Sequence, residues 1–165
     1  MDIRIATVDD AAPLAALLDE YMTELWARTW AGKLPQLVAD LAAGRVRAAL
    51  CDAGFIAWND DYDLHHCVRG ASLCDLFVRR SARGRGVAPA LIAFACREIQ
   101  ATGGVFLRGT AVASAVKLYA RVGWGWDCRE VTLGGRAFRA IAALAGASPR
   151  ELVRGLPDPA WNHEP

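Results

Sequence analysis

One stretch of this chain limits its fold more than any other: Leu73-Cys74-Asp75-Leu76-Phe77-Val78-Arg79-Arg80-Ser81-Ala82-Arg83-Gly84-Arg85-Gly86-Val87-Ala88-Pro89. An apolar, strand-like segment (Leu76, Phe77, Val78) stops at a polar turn, crosses Arg83-Gly84-Arg85-Gly86 and enters a segment rich in Ala, Leu and Ile. Gly84 and Gly86 lack a Cβ, so their backbone can bend sharply and come close to a ligand. The helix that follows brings unpaired first-turn N–H groups and the positive end of its dipole. With Arg83 and Arg85 adding charge-assisted contacts, strand, turn and helix together suit a phosphorylated ligand, and a pyrophosphate best. A dinucleotide-binding fold would want a third glycine where Pro89 stands. It would also want an acidic residue about 20 positions on, where Val105 and Phe106 lie, and both are missing.

The remaining sequence narrows the class. At 165 residues the chain is long enough for one domain, which we place at 1–156, with 157–165 as a loose, proline-rich tail. The 19 basic and 18 acidic residues nearly cancel. The cluster Arg79, Arg80, Arg83, Arg85 has no aromatic-interleaved basic stripe around it, so no nucleic-acid partner is expected. No apolar run is long enough to span a bilayer, and Met1-Asp2-Ile3-Arg4 does not open a signal peptide. Cys51, Cys67, Cys74, Cys96 and Cys128 are odd in number, widely spaced and free of any C-x-x-C pair, which points to reduced thiols in the cytoplasm. His65-His66-Cys67 stands without a second ligand pair, so it is read as a loop and no metal is expected.

Periodicity predicts the element order β-α-α-β-β-β-α-β-α-β-β, hence a mixed sheet covered by helices. Ile3, Ile5 and Thr7 alternate as a first strand with one buried face. Asp9 and Asp10 can cap a helix in which Leu14, Leu17, Leu18, Tyr21, Met22 and Leu25 form the buried stripe. A second helix runs from about Leu34 to Ala43 and ends at Gly44. Val46 to Asp52 and Phe55 to Tyr62 form a hairpin about Ala53-Gly54. After the Leu76–Val78 strand come a helix from Ala88 to Thr102, a short strand from Val105 to Arg108 and a helix carrying Tyr119. A hairpin around Gly134-Gly135 follows, and Ser148-Pro149-Arg150-Glu151 has the form of a capping box that would start a short last helix.

Two motifs in this order resemble the GNAT superfamily of N-acetyltransferases. Arg83-x-x-Gly86-x-Ala88 is similar to its Q/R-x-x-G-x-G/A loop, and Ala115-Val116-Lys117-Leu118-Tyr119-Ala120-Arg121-Val122-Gly123-Trp124 is similar to its A-x-x-L-Y-x-x-x-G-F helix, with Trp124 for Phe. The resemblance covers Ile3 to about Ala142. Cys74-Asp75-Leu76-Phe77-Val78 and Gly134-Gly135-Arg136-Ala137-Phe138-Arg139 look most like the diamine (spermidine/spermine-type) branch. The resemblance implies a GNAT acyltransferase fold and acetyl-CoA as co-substrate.

It implies site residues as well. The backbone of Leu76, Phe77 and Val78 would pair with the pantetheine arm, and the loop Arg83, Gly84, Arg85, Gly86, Val87, Ala88, Pro89 would hold the pyrophosphate. Tyr119 would give a proton to the leaving thiolate. The branch has glutamate where Cys74 stands, so the base is left open among Asp75, which matches the branch, Asp60, Asp61, Asp63, Glu20, Glu24 and water. Val112 replaces a frequent Asn, and Ser114 is the candidate to supply its hydrogen bond to the co-substrate. The implied reaction is acetylation of a small primary amine, a polyamine or diamine among them. The alternatives are an amino acid, an aminoglycoside or a protein N-terminus as acceptor, or a non-catalytic acyl-CoA-binding domain. A homodimer fits the exposed edges of such a fold.

Overall fold

The computed structural model describes residues 1–30, 32–64, 67–112, 115–132 and 135–143. The elements are β1 (Arg4–Ile5), α1 (Ala11–Trp26), α2 (Leu34–Ala42), β2 (Arg47–Cys51), β3 (Gly54–Asp63), β4 (Val68–Val78), α3 (Val87–Ala101), β5 (Phe106–Val112), α4 (Val116–Arg121), β6 (Gly125–Thr132) and β7 (Gly135–Ala143). Short 3-10 turns precede α1 (Val8–Asp10) and follow β4 (Arg80–Ala82). This is the order that periodicity predicts. The strands hydrogen-bond in the order β1-β2-β3-β4-β5-β7-β6. β4 and β5 are parallel, and the pairs β1–β2, β2–β3, β5–β7 and β6–β7 are antiparallel. The result is an α/β mixed sheet flanked by helices, the arrangement that the resemblance implies.

By contacts the described residues divide into two units, Met1–Asp60 with Cys74–Arg97, and Asp61–Leu73 with those from Glu98 to Ala143. In the first unit, Leu14 and Leu17 of α1 and Leu37 of α2 pack on Ala48, Leu50, Phe55, Ala57 and Phe77. Each helix buries one stripe against a sheet face, which is where most helical stability in a globular protein originates. α1 has a left-handed residue at its end, Ala27 (φ 50°), and the Trp30 N–H donates to Asp19 at 2.7 Å as the chain turns toward α2. In the second unit, β5 meets the first half of β4 at Ala71–Leu107 and Ser72–Arg108, so Leu76–Val78 lie beyond these registered pairs. The Val105 N–H donates to the Arg69 carbonyl at 2.8 Å.

Some expectations shift. The first strand is only two residues long, Ile5 is 37 % exposed, and Ala6 rather than its isoleucine neighbours is buried. Asp10 does flank α1, but its carboxylate turns back to accept from the Thr7 N–H at 3.0 Å and the Thr7 hydroxyl at 3.2 Å, closing the preceding turn. The buried stripe of α1 ends before Leu25, which is more than half exposed. β4 and β5 are longer than their apolar runs, because ladder pairing carries a strand through polar residues such as Ser72, Arg108 and Thr110. The expected last helix and the tail lie outside the described residues.

Candidate active site

β4 delivers the chain at Val78 to a turn whose shape follows from its residues. The Ala82 N–H donates to the Arg79 carbonyl at 2.9 Å and the Arg83 N–H to the Arg80 carbonyl at 3.3 Å, winding one 3-10 turn. Gly84 (φ 75°) and Gly86 (φ 81°) then take the left-handed conformation that side chains resist. A Cβ built at either would meet no atom within 4 Å. Conformation, not crowding, therefore calls for glycine, and the space beside this backbone is open. The Ala90 N–H donates to the Gly86 carbonyl at 3.2 Å as α3 begins. The amides of Val87 and Ala88, at the start of α3, have no helical acceptor, and Pro89 has no amide to satisfy. No acidic side chain sits in the first turn to compete for the positive helix end. Open glycine backbone, unpaired amides and a helix dipole fit the diphosphate of coenzyme A.

The four arginines of the turn divide into two kinds. The Arg79 guanidinium grips Glu20 on α1 through Nε (2.8 and 3.2 Å) and a terminal nitrogen (2.6 Å), and donates to the Asp52 carbonyl at 2.6 Å. The Arg83 guanidinium pairs with Glu24, one helical turn along, at 2.6 Å and donates to the Val78 carbonyl at 2.9 Å. Glu20 and Glu24 thus form two rungs that fasten α1 to the turn. The charge-assisted bonds from Arg79 hold the Glu20 carboxyl below its ordinary value, which weakens it as a base. Arg80 and Arg85 are exposed, and among the described residues neither has an ion-pair partner. The expectation gave Arg83 and Arg85 the same task; here Arg83 is tied down and Arg80 joins Arg85 as an available cation. Along the same rungs runs an open groove of about 860 Å³, lined by Asp19, Glu20, Thr23, Glu24, Phe77, Arg79, Arg80 and Ser81.

Asp75 and Cys74, adjacent on β4, have different partners. Burial pushes the Asp75 carboxyl above its ordinary value, partly offset by a hydrogen bond from Tyr21 of α1. The Cys74 thiol lies 3.4 Å from the Asn59 side-chain oxygen on β3, and burial together with the Asp75 carboxylate pushes it up to about 11. At neutral pH it is a neutral thiol and takes no glutamate-like part as a base.

The second unit carries Tyr119 on α4, 6 % exposed, with its ring centroid 4.7 Å from that of Trp124. The Trp124 N–H donates to the Tyr119 carbonyl at 3.0 Å and the Gly123 N–H to the Ala120 carbonyl at 3.1 Å, with Gly123 at φ 86°. This is a Schellman cap, and the Tyr119–Trp124 contact is its hydrophobic seal. Three positions of the second motif, Tyr119, Gly123 and Trp124, are thereby accounted for by helix termination. Val112 ends β5, and Ser114 lies outside the described residues.

A polar network also in this unit was not foreseen. The Arg108 guanidinium donates to both oxygens of Asp61, at 2.7 and 2.9 Å, and stands 3.7 Å from Asp63; the Ser72 hydroxyl donates to Asp61. Burial alone would raise the Asp61 carboxyl, but the bonds from Ser72 and Arg108 outweigh it and hold the group below its ordinary value. Asp61 and Asp63 are thus committed to Arg108, while Asp60 is exposed. Local spacing had no means of announcing Arg108, which stands 47 positions from Asp61. Tyr21 was read as a core residue, and its bond to Asp75 likewise has no local signature.

Comparison with known proteins places these features. The model of the acetyltransferase (GNAT) family matches residues 13–124, a span that holds both motifs. No curated protein sequence matches significantly. Among solved structures, an aminoglycoside 6′-N-acetyltransferase complexed with coenzyme A is 14 % identical and superposes with a TM-score of 0.71, over 90 % of this chain and 99 % of that one. A putative acetyltransferase from Salmonella typhimurium with its cofactor acetyl-CoA is 16 % identical, with a TM-score of 0.68 over 90 % and 96 %. A ribosomal-protein-alanine N-acetyltransferase from Brucella melitensis biovar Abortus 2308 is 22 % identical, with a TM-score of 0.62 over 74 % and 91 %. With its element order, its two motifs and a family match over more than half its length, this chain belongs to the GNAT family of acetyl-CoA-dependent acetyltransferases.

Proposed function

We propose that the enzyme transfers the acetyl group of acetyl-CoA directly to a primary amine of a small molecule, with polyamines and diamines as the first candidate acceptors. The observation that carries the acceptor class is Asp75. It stands in the Asp75-Leu76-Phe77-Val78 run that resembles the diamine branch, and it is a partly desolvated carboxyl with raised proton affinity. An amine arrives mostly as ammonium, and a carboxylate of raised proton affinity is suited to taking the proton it must lose before attack. In this reading the amides of Gly84 to Ala88 hold the diphosphate, with Arg80 and Arg85 as its cations. The backbone of Leu76–Val78 aligns the pantetheine arm, and one of its N–H groups steadies the thioester oxygen as it gains charge. Tyr119 protonates the departing thiolate; a phenol with a pKa of about 10 keeps its proton at neutral pH. No metal ion enters the scheme.

Cys51, Cys67, Cys74 and Cys96 are free thiols, which supports placing the enzyme in the reducing cytoplasm. We extend the reading to a homodimer, which light scattering would check. The test of the acceptor is thiol release from acetyl-CoA against polyamines, amino acids, aminoglycosides and peptides. The expected result is a polyamine kcat/KM at least about tenfold above the other classes, a margin of roughly 1.4 kcal/mol. Faster turnover of a peptide N-terminus or an aminoglycoside would replace the acceptor named here.

A further inference from the structure

We infer that Tyr21 is a positioning residue for proton removal from the acceptor: wedged between Phe55 and Phe77, it keeps its hydroxyl on one oxygen of the Asp75 carboxylate and leaves the other to the amine. The inference rests on the reading of Asp75 as the base and adds to it the group that orients that base.

The sequence puts Tyr21 on the stripe of α1 that includes Leu14 and Leu17, so its ring enters the core. There it meets Phe55 edge-on, with centroids 6.1 Å apart and planes at 90°, and Phe77 at 5.8 Å and 61°; Phe55 and Phe77 are themselves 6.3 Å apart. Such tilted and edge-on contacts are the favoured aromatic arrangements, and a ring held on two sides has little rotamer freedom left. Its hydroxyl bonds to Asp75, two residues before Phe77 on β4. Phe77 also lines the open groove, so the same cage adjoins the space beside the turn.

Burial acts most strongly on Asp75, and the Tyr21 hydroxyl is the side chain that offsets it. From α1, Glu20 and Glu24 are tied to Arg79 and Arg83, and from β3 come the exposed Asp60 and the amide of Asn59, which engages Cys74. On β4 itself the neighbouring titratable group is the Cys74 thiol, neutral at physiological pH. Among the described residues no ion pair reaches Asp75. A carboxyl stripped of water with no hydrogen-bond donor would hold its proton too strongly to serve as a base. The phenol replaces one lost water and keeps the group usable.

The experiment compares the full-length wild type with Tyr21→Phe and Asp75→Asn. Tyr21→Phe keeps the ring and its packing and removes only the hydroxyl. Carbon-13 NMR of aspartate side-chain carboxyls follows the Asp75 titration, assigned by its absence in Asp75→Asn, with no acceptor present. In Tyr21→Phe the midpoint should move to higher pH. The acid limb of the kcat/KM profile, measured with saturating acetyl-CoA and the fastest amine of the panel, should move with it, and the rate at neutral pH should fall roughly three- to tenfold, the worth of about one hydrogen bond. A Tyr21→Phe midpoint equal to the wild type overturns the inference. An Asp75→Asn enzyme with wild-type rate and pH profile overturns the base assignment instead, whatever the NMR midpoint shows.

Discussion

The two motifs of this chain are both glycine-punctuated segments at a helix end, and they use the same local device for opposite purposes. In the turn after β4, Gly84 and Gly86 go left-handed at the start of α3, and the backbone that results faces open space with amides unspent. At the end of α4, Gly123 goes left-handed too, but there the amides of Gly123 and Trp124 are consumed by the carbonyls of Ala120 and Tyr119. The asymmetry is that of the helix itself: its first turn has spare donors and its last turn spare acceptors. A glycine before a helix can therefore present donors to an anion, whereas a glycine after a helix lets the chain close on itself. The first motif leaves its donors unspent, and the second seals one tyrosine against a tryptophan.

The sharpest test of this contrast is Tyr119→Phe. The ring still seals against Trp124, so CoA affinity measured by calorimetry should stay within about twofold. Turnover should fall roughly 10²- to 10⁴-fold if the phenol is the general acid. An unchanged rate would reduce the second motif to a helix cap and nothing more. Gly86→Val probes the first motif. The left-handed backbone costs a non-glycine residue roughly 1–2 kcal/mol, and reshaping the amide cradle should weaken CoA binding by about 100-fold or more. The open space at Gly86 adds no steric clash to that backbone strain, so a loss of stability well beyond about 2 kcal/mol would mean the turn is structural rather than ligand-facing.

A smaller effect separates the arginines. Arg80→Ala and Arg85→Ala should each raise the KM for acetyl-CoA by roughly five- to tenfold, more at low salt than at high, with stability unchanged. Arg79→Ala should instead lower stability by about 1 kcal/mol, since its pair with Glu20 is partly solvent-screened. If Arg79→Ala proved the worse CoA binder, the division into tied and available cations would be wrong.

The smallest effect concerns acid. Glu20 and Asp61 are held below their ordinary values of 4.5 and 3.8, so their contribution is complete above those values and is lost as pH falls through the lower, folded ones. Asp75 runs the other way: its raised carboxyl favours folding while protonated, and that contribution disappears as pH rises through its folded value. Asp75→Asn should therefore raise the thermal midpoint at neutral pH. Arg108→Met, which removes the guanidinium but leaves Asp61 the Ser72 hydroxyl as donor, should lower the unfolding free energy by less than about 1 kcal/mol, measured by denaturant unfolding.

Much of the fold could be read from the chain. The order of all eleven elements, the hairpin about Ala53-Gly54, the end of α2 at Gly44 and the turn before α3 follow from apolar period and glycine position, which act over a few residues. At the candidate site, the turn and the Leu76–Val78 strand can be read from residue types, whereas the part proposed for Tyr119 comes from the family resemblance and not from spacing. Strand lengths were less legible: Ile5 alternates like a buried residue yet lies 37 % exposed at a two-residue edge.

What the amino-acid order settled by itself was local, namely where helices start and stop, which backbone must turn left-handed, and where spare amides collect. Only the folded chain could decide which charges remain available. Arg79 finds Glu20 across 59 positions and Arg83 finds Glu24, so among the described residues Arg80 and Arg85 are left as the turn's arginines without an ion pair, by elimination rather than by motif. Arg108 likewise finds Asp61 across 47 positions. The pairing of Tyr21 with Asp75 belongs to the same class. The physical reason is that helical and turn propensities act within a few residues, whereas an ion pair or a buried hydrogen bond depends on which elements packing brings together, and no short window of sequence contains that information.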